Sequence, residues 1–332
     1  MAQLVLGIGI SHTPMLNGSV EDWSRFIELD RRRPHLDKDG NSVTYDDLLG
    51  NSDAATAGQA APEKLATRHG AAMANMERVR AALRDARLDS LIIVGDDQNE
   101  LHLAGNRPCF LIYHGDTIAN VPAAINPDRP AWAQRLSARY FEQTVARDYP
   151  VDSGLALHLI ESLVERQFDI ATADSLPPGQ GEGRAFGFVH NRLMAEDAMP
   201  AVPVVPVFLN TYFPPNQATP RRCYSLGQAI AAAVESYDQD LRIGILASGG
   251  LSHFTVDEEL DRRVMGALAD KDGEALCTLP GGKLNGGSSE IRNWICAAGA
   301  LEAMPLQWSD YQPGYRTPAG TGTGLGFAIW AP

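Results

Sequence analysis

Three side chains that could bind a metal or transfer a proton follow apolar or glycine-rich stretches of the chain. His12 lies in SHTP, directly after the apolar run LVLGIGI, and His253 lies in SGGLSHF, which follows another apolar run. Glu290 ends the stretch GGSSE. A neutral imidazole can bind a divalent metal, an imidazole with a pKa near neutrality can transfer protons, and a carboxylate can complete a two-histidine, one-carboxylate site.

Each of these residues also has a simpler interpretation. A lone histidine after a strand is often satisfied within its own turn. A glutamate in the first turn of a helix is commonly a capping or helix-dipole residue, and Ser288-Ser289-Glu290 is predicted to cap a helix running to about Met304. The stretch GDDQNE at 95–100 could bind a hard cation through its paired acids, or could be a plain loop with a capping aspartate. His69 and His158 are more typical of core or supporting histidines.

The elements that position these residues predict an α/β fold with a central twisted sheet flanked by helices. Short apolar runs alternate with longer helical patterns, and Pro62 opens a helix. Further elements are predicted in the following ranges: a hairpin-like stretch at 109–121, helices at 129–147, 154–166 and 224–237, strands at 91–94, 169–173, 203–209 and 241–247, a loop at 176–184, and a final strand at 324–331.

Several polar clusters stand just past the ends of predicted strands. They are His12, residues 96–100, Asn210 and His253. In open α/β sheets, ligands bind outside the carboxyl ends of the strands, so these clusters are expected to converge on one site. The chain is expected to form a single catalytic domain over 1–332, with the polar segment 17–61 as an inserted excursion or lid.

Composition and charge exclude some classes of partner. The net charge of −13 argues against nucleic acid, because phosphate binding needs clustered cations. No apolar run has the length of a membrane span, and the N-terminus lacks the features of a signal peptide. Four separated cysteines are predicted to be reduced thiols, which favours a cytoplasmic protein. The glycines at 320–326 precede a strand, and their spacing is not that of a dinucleotide fingerprint.

Taken together, the motifs resemble the LigB-like class III extradiol dioxygenases. This superfamily includes the catalytic subunit of protocatechuate 4,5-dioxygenase and the gallate and 3-O-methylgallate dioxygenases. The matching pieces span nearly the whole chain in the family's order: GIGISHTP, the strand ending in GDDQNE, VPVFLNTYFPP, RRCYSLGQAI, ILASGGLSHF, SSEIRNWICAAGAL and YRTPAGTGTGLGFAIW.

The resemblance implies roles for residues of the metal site. His12 and Glu290 match two ligands of a non-haem Fe(II), and His253 matches the acid/base that faces the substrate. The family's second histidine ligand has no counterpart, because Gln98 stands in its place. Gln98 or Glu100 could bind the metal through oxygen, or His69 could supply a nitrogen. Mn(II) is an alternative metal.

The resemblance also implies residues that contact the substrate. Ser153 stands where many members carry a substrate-contacting histidine. Because family substrates often carry a carboxylate, an arginine is expected nearby, and Arg184, Arg292 and Arg316 are candidates from their neighbouring motifs. Tyr212 could donate to a ring hydroxyl.

The implied function is cleavage of a catechol- or gallate-type ring with O2. One alternative is an aminophenol-type or Mn(II)-dependent ring-cleaving enzyme on the same scaffold. Another is a non-enzymatic, MEMO-like protein that binds a metal or a partner. The expected partners are a small aromatic diol and O2, without nucleic acid or membrane. A homodimer is expected, and a small helical partner subunit is an open alternative.

Overall fold

The structure of the protein is a computed structural model and describes residues 1–194 and 202–332. A central mixed sheet is flanked by helices, which confirms the predicted α/β class. In the described part of the chain the strands are β1 (Gln3–Ile10), β2 (His35–Leu36), β3 (Ser42–Val43), β4 (Ser90–Asp96), β5 (Phe110–Tyr113), β6 (Thr117–Asn120), β7 (Arg147–Pro150), β8 (Ala171–Ala173), β9 (Val204–Leu209), β10 (Arg242–Ser248), β11 (His253–Thr255), β12 (Leu306–Tyr315) and β13 (Thr321–Trp330).

The helices lie between these strands and vary widely in length. Within the same described ranges the α-helices are α1 (Val20–Arg25), α2 (Ile27–Asp30), α3 (Tyr45–Gly50), α4 (Ala54–Ala57), α5 (Pro62–Ala86), α6 (Ala131–Ala138), α7 (Ser153–Glu165), α8 (Arg184–Phe188), α9 (Pro220–Ser236), α10 (Glu258–Ala269), α11 (Gly273–Cys277) and α12 (Ile291–Ala300). None of the described helices is long and apolar enough to cross a membrane.

Four parallel strands form the middle of the main sheet. The order of that sheet is β11-β13-β1-β10-β4-β9-β5-β8, with β12 paired to β13. Strands β1, β10, β4 and β9 run in one direction, and Ile10 lies opposite Ser248 in the β1–β10 pair. Their carboxyl ends therefore share one edge, where the polar clusters were expected to meet.

The sheet separates two apolar cores. On β4, Ile92 and Val94 pack in the core that includes α9 and α12, whereas Leu91 and Ile93 pack in the core that includes α5. Successive side chains of a strand point to opposite faces, so a strand buried on both faces is apolar without alternation. This burial explains the unbroken apolar runs of β1, β4 and β10.

Three local predictions differ from the structure, and one strand was missed. The stretch at 109–121 is not a hairpin, because β5 pairs with β8 and β9 while β6 pairs with β7. The helix expected over 129–147 ends at Ala138, and Tyr140 then buries its ring and donates its hydroxyl to the His12 carbonyl. Strand β12 was not predicted. Glu290 does stand at the N-cap position of α12, but its side chain makes no capping hydrogen bond, and its carboxylate instead accepts from the Gly250 amide at the strand ends.

Candidate active site

His12 presents one free ring nitrogen to the interior. It follows β1, and its ring is buried. Ser248 donates its hydroxyl proton to the Ala185 carbonyl at 2.7 Å, so its oxygen accepts from His12 Nδ1 at 3.2 Å. The lone pair is therefore on Nε2, which has no hydrogen-bond partner among the described residues. Burial lowers the pKa of His12 and favours the neutral imidazole that a metal requires.

Glu290 stands at the end of a short 3-10 helix (Gly286–Glu290) and directly precedes α12. The Gly250 amide donates to its Oε2 at 2.6 Å, and the Tyr212 hydroxyl donates to its Oε1. His12 Nε2 lies 3.7 Å from Oε2. Burial acts to raise the pKa of Glu290, but attraction to the His253 and His12 rings when they are protonated, together with the Tyr212 hydrogen bond, lowers it to about 2. The side chain is thus an oriented carboxylate.

Asp96, the last residue of β4, completes the group. It is fully buried, and Asn293 Nδ2 donates to its Oδ1 at 3.0 Å. One ligand atom each from His12, Asp96 and Glu290 lies within 4.8 Å of the others. Burial, with Glu290 nearby, raises the pKa of Asp96. A bound cation would relieve the cost of two adjacent buried carboxylates, so this set fits a divalent metal with one nitrogen and two oxygen donors.

Gln98 bridges these two carboxylates through its amide NH2 group, while its carbonyl oxygen points away from the ligand group. Its Nε2 donates to Asp96 Oδ2 at 3.2 Å and to Glu290 Oε1 at 3.0 Å. Its Oε1 accepts from Arg184 Nη1 at 3.1 Å and therefore faces away from the ligand group. The expectation that Gln98 binds a metal through oxygen disagrees with this orientation.

The other two candidates for the missing ligand are engaged elsewhere. Glu100 accepts from Arg184 Nε at 2.8 Å and from the Arg184 backbone amide at the start of α8. His69, on α5, contacts the Gly18 carbonyl through Nε2 at 2.9 Å, and its ring packs edge-on against Trp23. Neither side chain belongs to the three-residue group.

His253 lies beside the ligand group with a defined proton arrangement. Its Nδ1 donates to the Leu251 carbonyl at 2.8 Å, so in the neutral ring Nε2 is the proton acceptor. That Nε2 lies 3.2 Å from Glu290 Oε1 and 3.4 Å from the Tyr212 hydroxyl. Gly250 and Gly287 pack against the ring, and a Cβ at either position would collide with it. These glycines fix the imidazole in place.

Tyr212 is carried by a turn that follows β9. Asn210 makes this turn, because its side chain accepts from the Phe213 amide at 3.0 Å and donates to the Phe213 and Asn216 carbonyls at 2.8 Å. Burial and the neighbouring Glu290 raise the pKa of Tyr212, so its hydroxyl remains a proton donor. Asn210 was expected at the site itself, but it supports Tyr212 instead.

A cavity of about 470 Å³ opens above the ligand group, a size that suits a small aromatic molecule. His12, Glu290, His253 and Tyr212 line one part of it. The segment 17–61 contributes Phe26, Leu29, Arg32 and Arg33, and the loop before α6 contributes Asn126, Asp128 and Arg129. Part of the segment 17–61, predicted as an excursion or lid, therefore forms one wall of this cavity.

The residues predicted to contact substrate divide into two groups. Tyr212, Arg184 and Arg316 line the cavity, although Arg184 is paired with Glu100 and Arg316 with Asp30. Arg292 and Ser153 are not among the residues that line it. The buried Arg292 guanidinium donates to the Ala218 and Leu284 carbonyls, and the Ser153 hydroxyl donates to the Gly115 carbonyl. Both side chains therefore donate hydrogen bonds to backbone carbonyls and do not face the cavity.

The sequence indicated that the paired acids at 96–97 could bind a cation, but it did not single out Asp96 as the acid beside His12 and Glu290, and it missed Arg129 as a cavity residue. Asp96 could have been found from its place, because it follows an unbroken apolar strand and is the first acid at the sheet edge. Arg129 gave no such signal, because it lies in an irregular stretch rich in proline and asparagine.

The chain is similar to a known protein family and to individual members of it. Residues 69–326 match the model of the family described as the catalytic LigB subunit of aromatic ring-opening dioxygenase. The chain is 32% identical over 171 residues to gallate dioxygenase of Pseudomonas putida, covering 47% of this chain and 48% of the relative. It is 33% identical over 99 residues to 2,3-dihydroxyphenylpropionate/2,3-dihydroxicinnamic acid 1,2-dioxygenase of Comamonas testosteroni, covering 30% and 29%. The chain spans about half or less of the length of these relatives. Because the family model matches most of the chain, the chain belongs to the LigB family of aromatic ring-opening dioxygenases.

Proposed function

We propose that the protein is a metal-dependent extradiol dioxygenase that uses O2 to open a catechol- or gallate-type ring. The observation that carries the proposal is the placement of the His253 imidazole and the Tyr212 hydroxyl beside the His12, Asp96 and Glu290 group, on one wall of a ring-sized cavity. Membership of the LigB family and the activities named for the two relatives support it.

His12, Asp96 and Glu290 are the proposed ligands of Fe(II), with Mn(II) as the alternative that two carboxylates also suit. A bound metal would supply Lewis acidity and the redox chemistry for reaction with O2. The Ser248 and Ala185 contacts keep His12 Nε2 unprotonated, and Gln98 keeps the two carboxylates side by side. Together these residues preorganise the site.

His253 is the proposed acid/base. Its Nδ1 proton is held by the Leu251 carbonyl, so Nε2 can accept a proton from a substrate hydroxyl and later return it. In the imidazolium form, the adjacent Glu290 carboxylate stabilises the charge. Tyr212 orients Glu290 by donating its single hydroxyl proton to Oε1. Phe26, Leu29 and Phe254 give the cavity apolar surface, which limits water around the ring.

The test combines metal content with O2 uptake. The protein is loaded anaerobically with Fe(II) or Mn(II) and offered catechols, gallates and aminophenols. Stoichiometric metal and O2 uptake coupled to ring opening are expected. His253→Gln should lower kcat by about 100-fold or more, the loss expected when a general acid/base is removed.

The matched control is His158→Gln, since His158 lies on α7 and contacts the Ala233 carbonyl, away from the cavity. Its kcat should equal that of the wild type. If neither metal binds, or if no compound of the panel supports O2 uptake, the proposed function is wrong.

Other aspects of this function remain predictions from the sequence. They are the role of 17–61 as a lid, the single catalytic domain, the cytoplasmic location and the homodimer, with a small helical partner subunit still an open alternative.

A further inference from the structure

A buried carboxylate lies behind the turn that contains His253. Asp261, on α10, is fully buried, and three donors converge on it. The Ser252 amide donates to its Oδ1 at 2.7 Å, and the Ser252 and Tyr311 hydroxyls each donate to its Oδ2 at 2.7 Å. None of these three donors is a charged group, so they hold the carboxylate without neutralising its charge.

The hydrogen bonds around Asp261 match its ionised form. The Asp257 amide donates to the Ser252 hydroxyl oxygen at 2.8 Å, which directs the hydroxyl proton to Asp261. A carboxylic acid would need an acceptor for its own proton, whereas all three partners donate. Burial acts to raise the pKa of Asp261, and the hydrogen bonds from Tyr311 and Ser252 act to lower it, which leaves a pKa of about 6. At about pH 8 the side chain is therefore a buried anion.

One peptide group connects this anion to the imidazole of His253. It consists of the Leu251 carbonyl and the Ser252 amide, which point in opposite directions in a trans peptide. The Leu251 carbonyl accepts from His253 Nδ1 at 2.8 Å, and the Ser252 amide donates to Asp261 Oδ1 at 2.7 Å. Linked hydrogen bonds polarise one another, so a carboxylate at the N–H end makes the carbonyl a stronger acceptor.

The same turn is fixed to β13 on both sides of that peptide. The Leu251 amide donates to the Gly324 carbonyl at 3.1 Å, and the Gly324 amide donates to the Ser252 carbonyl at 2.8 Å. A Cβ at Gly324 would collide with the Asp261 carboxylate, so this glycine allows the close approach. The peptide therefore has one orientation, with its carbonyl towards the ring and its amide towards the anion.

We propose that Asp261 is a positioning residue for His253 and acts through the Leu251–Ser252 peptide. It keeps a proton on Nδ1 of the neutral ring, and it stabilises the imidazolium that forms when Nε2 takes a proton. In Ser-His-Asp enzymes a carboxylate in direct contact with the imidazole has these two effects. Here one peptide group stands between the two side chains. The catalytic consequence rests on the proposed function, whereas the state of the ring can be measured without turnover.

The first experiment observes the histidine ring nitrogens by NMR at about pH 8, in metal-free protein that contains isotopically labelled histidine. The chain has eight histidines, and the signals of His253 are identified by their loss in His253→Gln. The wild-type ring should have a slowly exchanging proton on Nδ1. Asp261→Asn keeps the shape and removes the charge, so exchange of that proton should be about 3- to 10-fold faster. The full difference between hydrogen bonds to charged and neutral groups is about tenfold, and part of it passes through the peptide.

Turnover gives a second readout, which separates positioning from a merely structural role. Asp261→Asn should lower kcat about 3- to 10-fold for the same reason. The Kd of catechol, titrated without O2 into the metal-loaded protein, should stay unchanged, because Asp261 is not among the residues that line the cavity. A general loosening of the turn would weaken catechol binding as well.

The matched control is Glu258→Gln. Glu258 lies on the same helix and accepts from a tyrosine of the same strand, Tyr315, at 3.0 Å, and its other partner is Arg262. This variant should leave kcat and the Nδ1 exchange of His253 as in the wild type. The His190 ring, which contacts Glu182 at 2.7 Å, reports in each variant whether the fold is kept.

The proposal is overturned if the wild-type His253 ring has no proton on Nδ1, because the peptide would then have nothing to hold. It is also overturned if Asp261→Asn leaves the Nδ1 exchange unchanged, if Glu258→Gln speeds it equally, or if the His190 signals change as much as those of His253. Absence of ring opening in the wild type would refute the proposed function, and the ring measurement would still decide this inference.

Discussion

Replacing Asp96 by asparagine tests the ligand set most directly. The carboxylate is fully buried and accepts from Gln98 and Asn293, so asparagine keeps the shape while it removes one negative charge. In the variant either Gln98 or Asn293 then faces the NH2 group of asparagine and loses its acceptor. The stability of the metal-free variant therefore changes for a reason unrelated to metal binding. The informative quantity is therefore the increase in unfolding free energy that a metal produces.

The size of that increase follows from linkage. A ligand that binds only the folded state at about 100 times its Kd adds about 2.7 kcal/mol. Loss of one of two charged ligands is expected to weaken binding by about 100-fold or more, at least the effect seen for changes in supporting residues. At the same metal concentration the variant would then gain only about 0.4 kcal/mol. The metal-induced stabilisation should nearly vanish.

The assay is urea unfolding of chelator-treated protein, with and without Fe(II) under nitrogen or Mn(II) in air. Glu100→Gln is the matched control, because Glu100 lies four residues further on and pairs with Arg184 rather than joining the ligand group. It should keep the full metal-induced gain. If Asp96→Asn keeps that gain, or if Glu100→Gln loses it, the assignment of Asp96 is wrong.

Two further predictions concern stability. Asp30→Asn leaves the buried Arg316 guanidinium without its counter-charge, so urea unfolding should show a loss of about 3 to 5 kcal/mol, whereas Glu274→Gln, in an exposed ion pair, should change little. Equal losses of unfolding free energy in the two variants would contradict this prediction. Burial raises the pKa of Asp261 from 3.8 to about 6. The protonated carboxyl therefore makes its full contribution to the unfolding free energy below about pH 4, and about 3 kcal/mol of that free energy is lost as the pH rises through 6. Asp261→Asn should lack this loss, and parallel curves of unfolding free energy against pH for the two proteins would refute it.

The convergence of the site could be predicted from the sequence because it depends on strand direction. Apolar runs buried on both faces indicate parallel strands, and parallel strands bring their carboxyl ends to one edge. His12 and the acids after Val94 met there for this reason, as the structure confirms. The same reasoning placed Asn210 at the edge but could not say that its amide would be used to form the turn carrying Tyr212.

What could not be predicted depends on single side-chain directions and distant partners. Strand β4 ends at Asp96 and not at Val94 as predicted, and this end decides which acid faces His12 and Glu290. The end of a strand or helix inferred from sequence easily shifts by two residues. The orientation of Gln98 depends on Arg184, which is 86 residues away in the sequence. Strand β12 went unnoticed because its residues are mostly half-buried and polar, without the alternation of a strand that has one buried face.

In the proposed metal site, two residues acting together would compensate for the absence of the family's second histidine. Gln98 occupies its place as a donor, and Asp96, two residues earlier, supplies the third ligand atom. The Gln98 amide lies between the two carboxylates and offsets part of their repulsion. A divalent cation held by one imidazole and two carboxylates carries no net charge, whereas two histidines and one carboxylate would leave one positive charge. A metal centre of this composition would therefore attract an anionic substrate group less strongly than one that keeps a net positive charge.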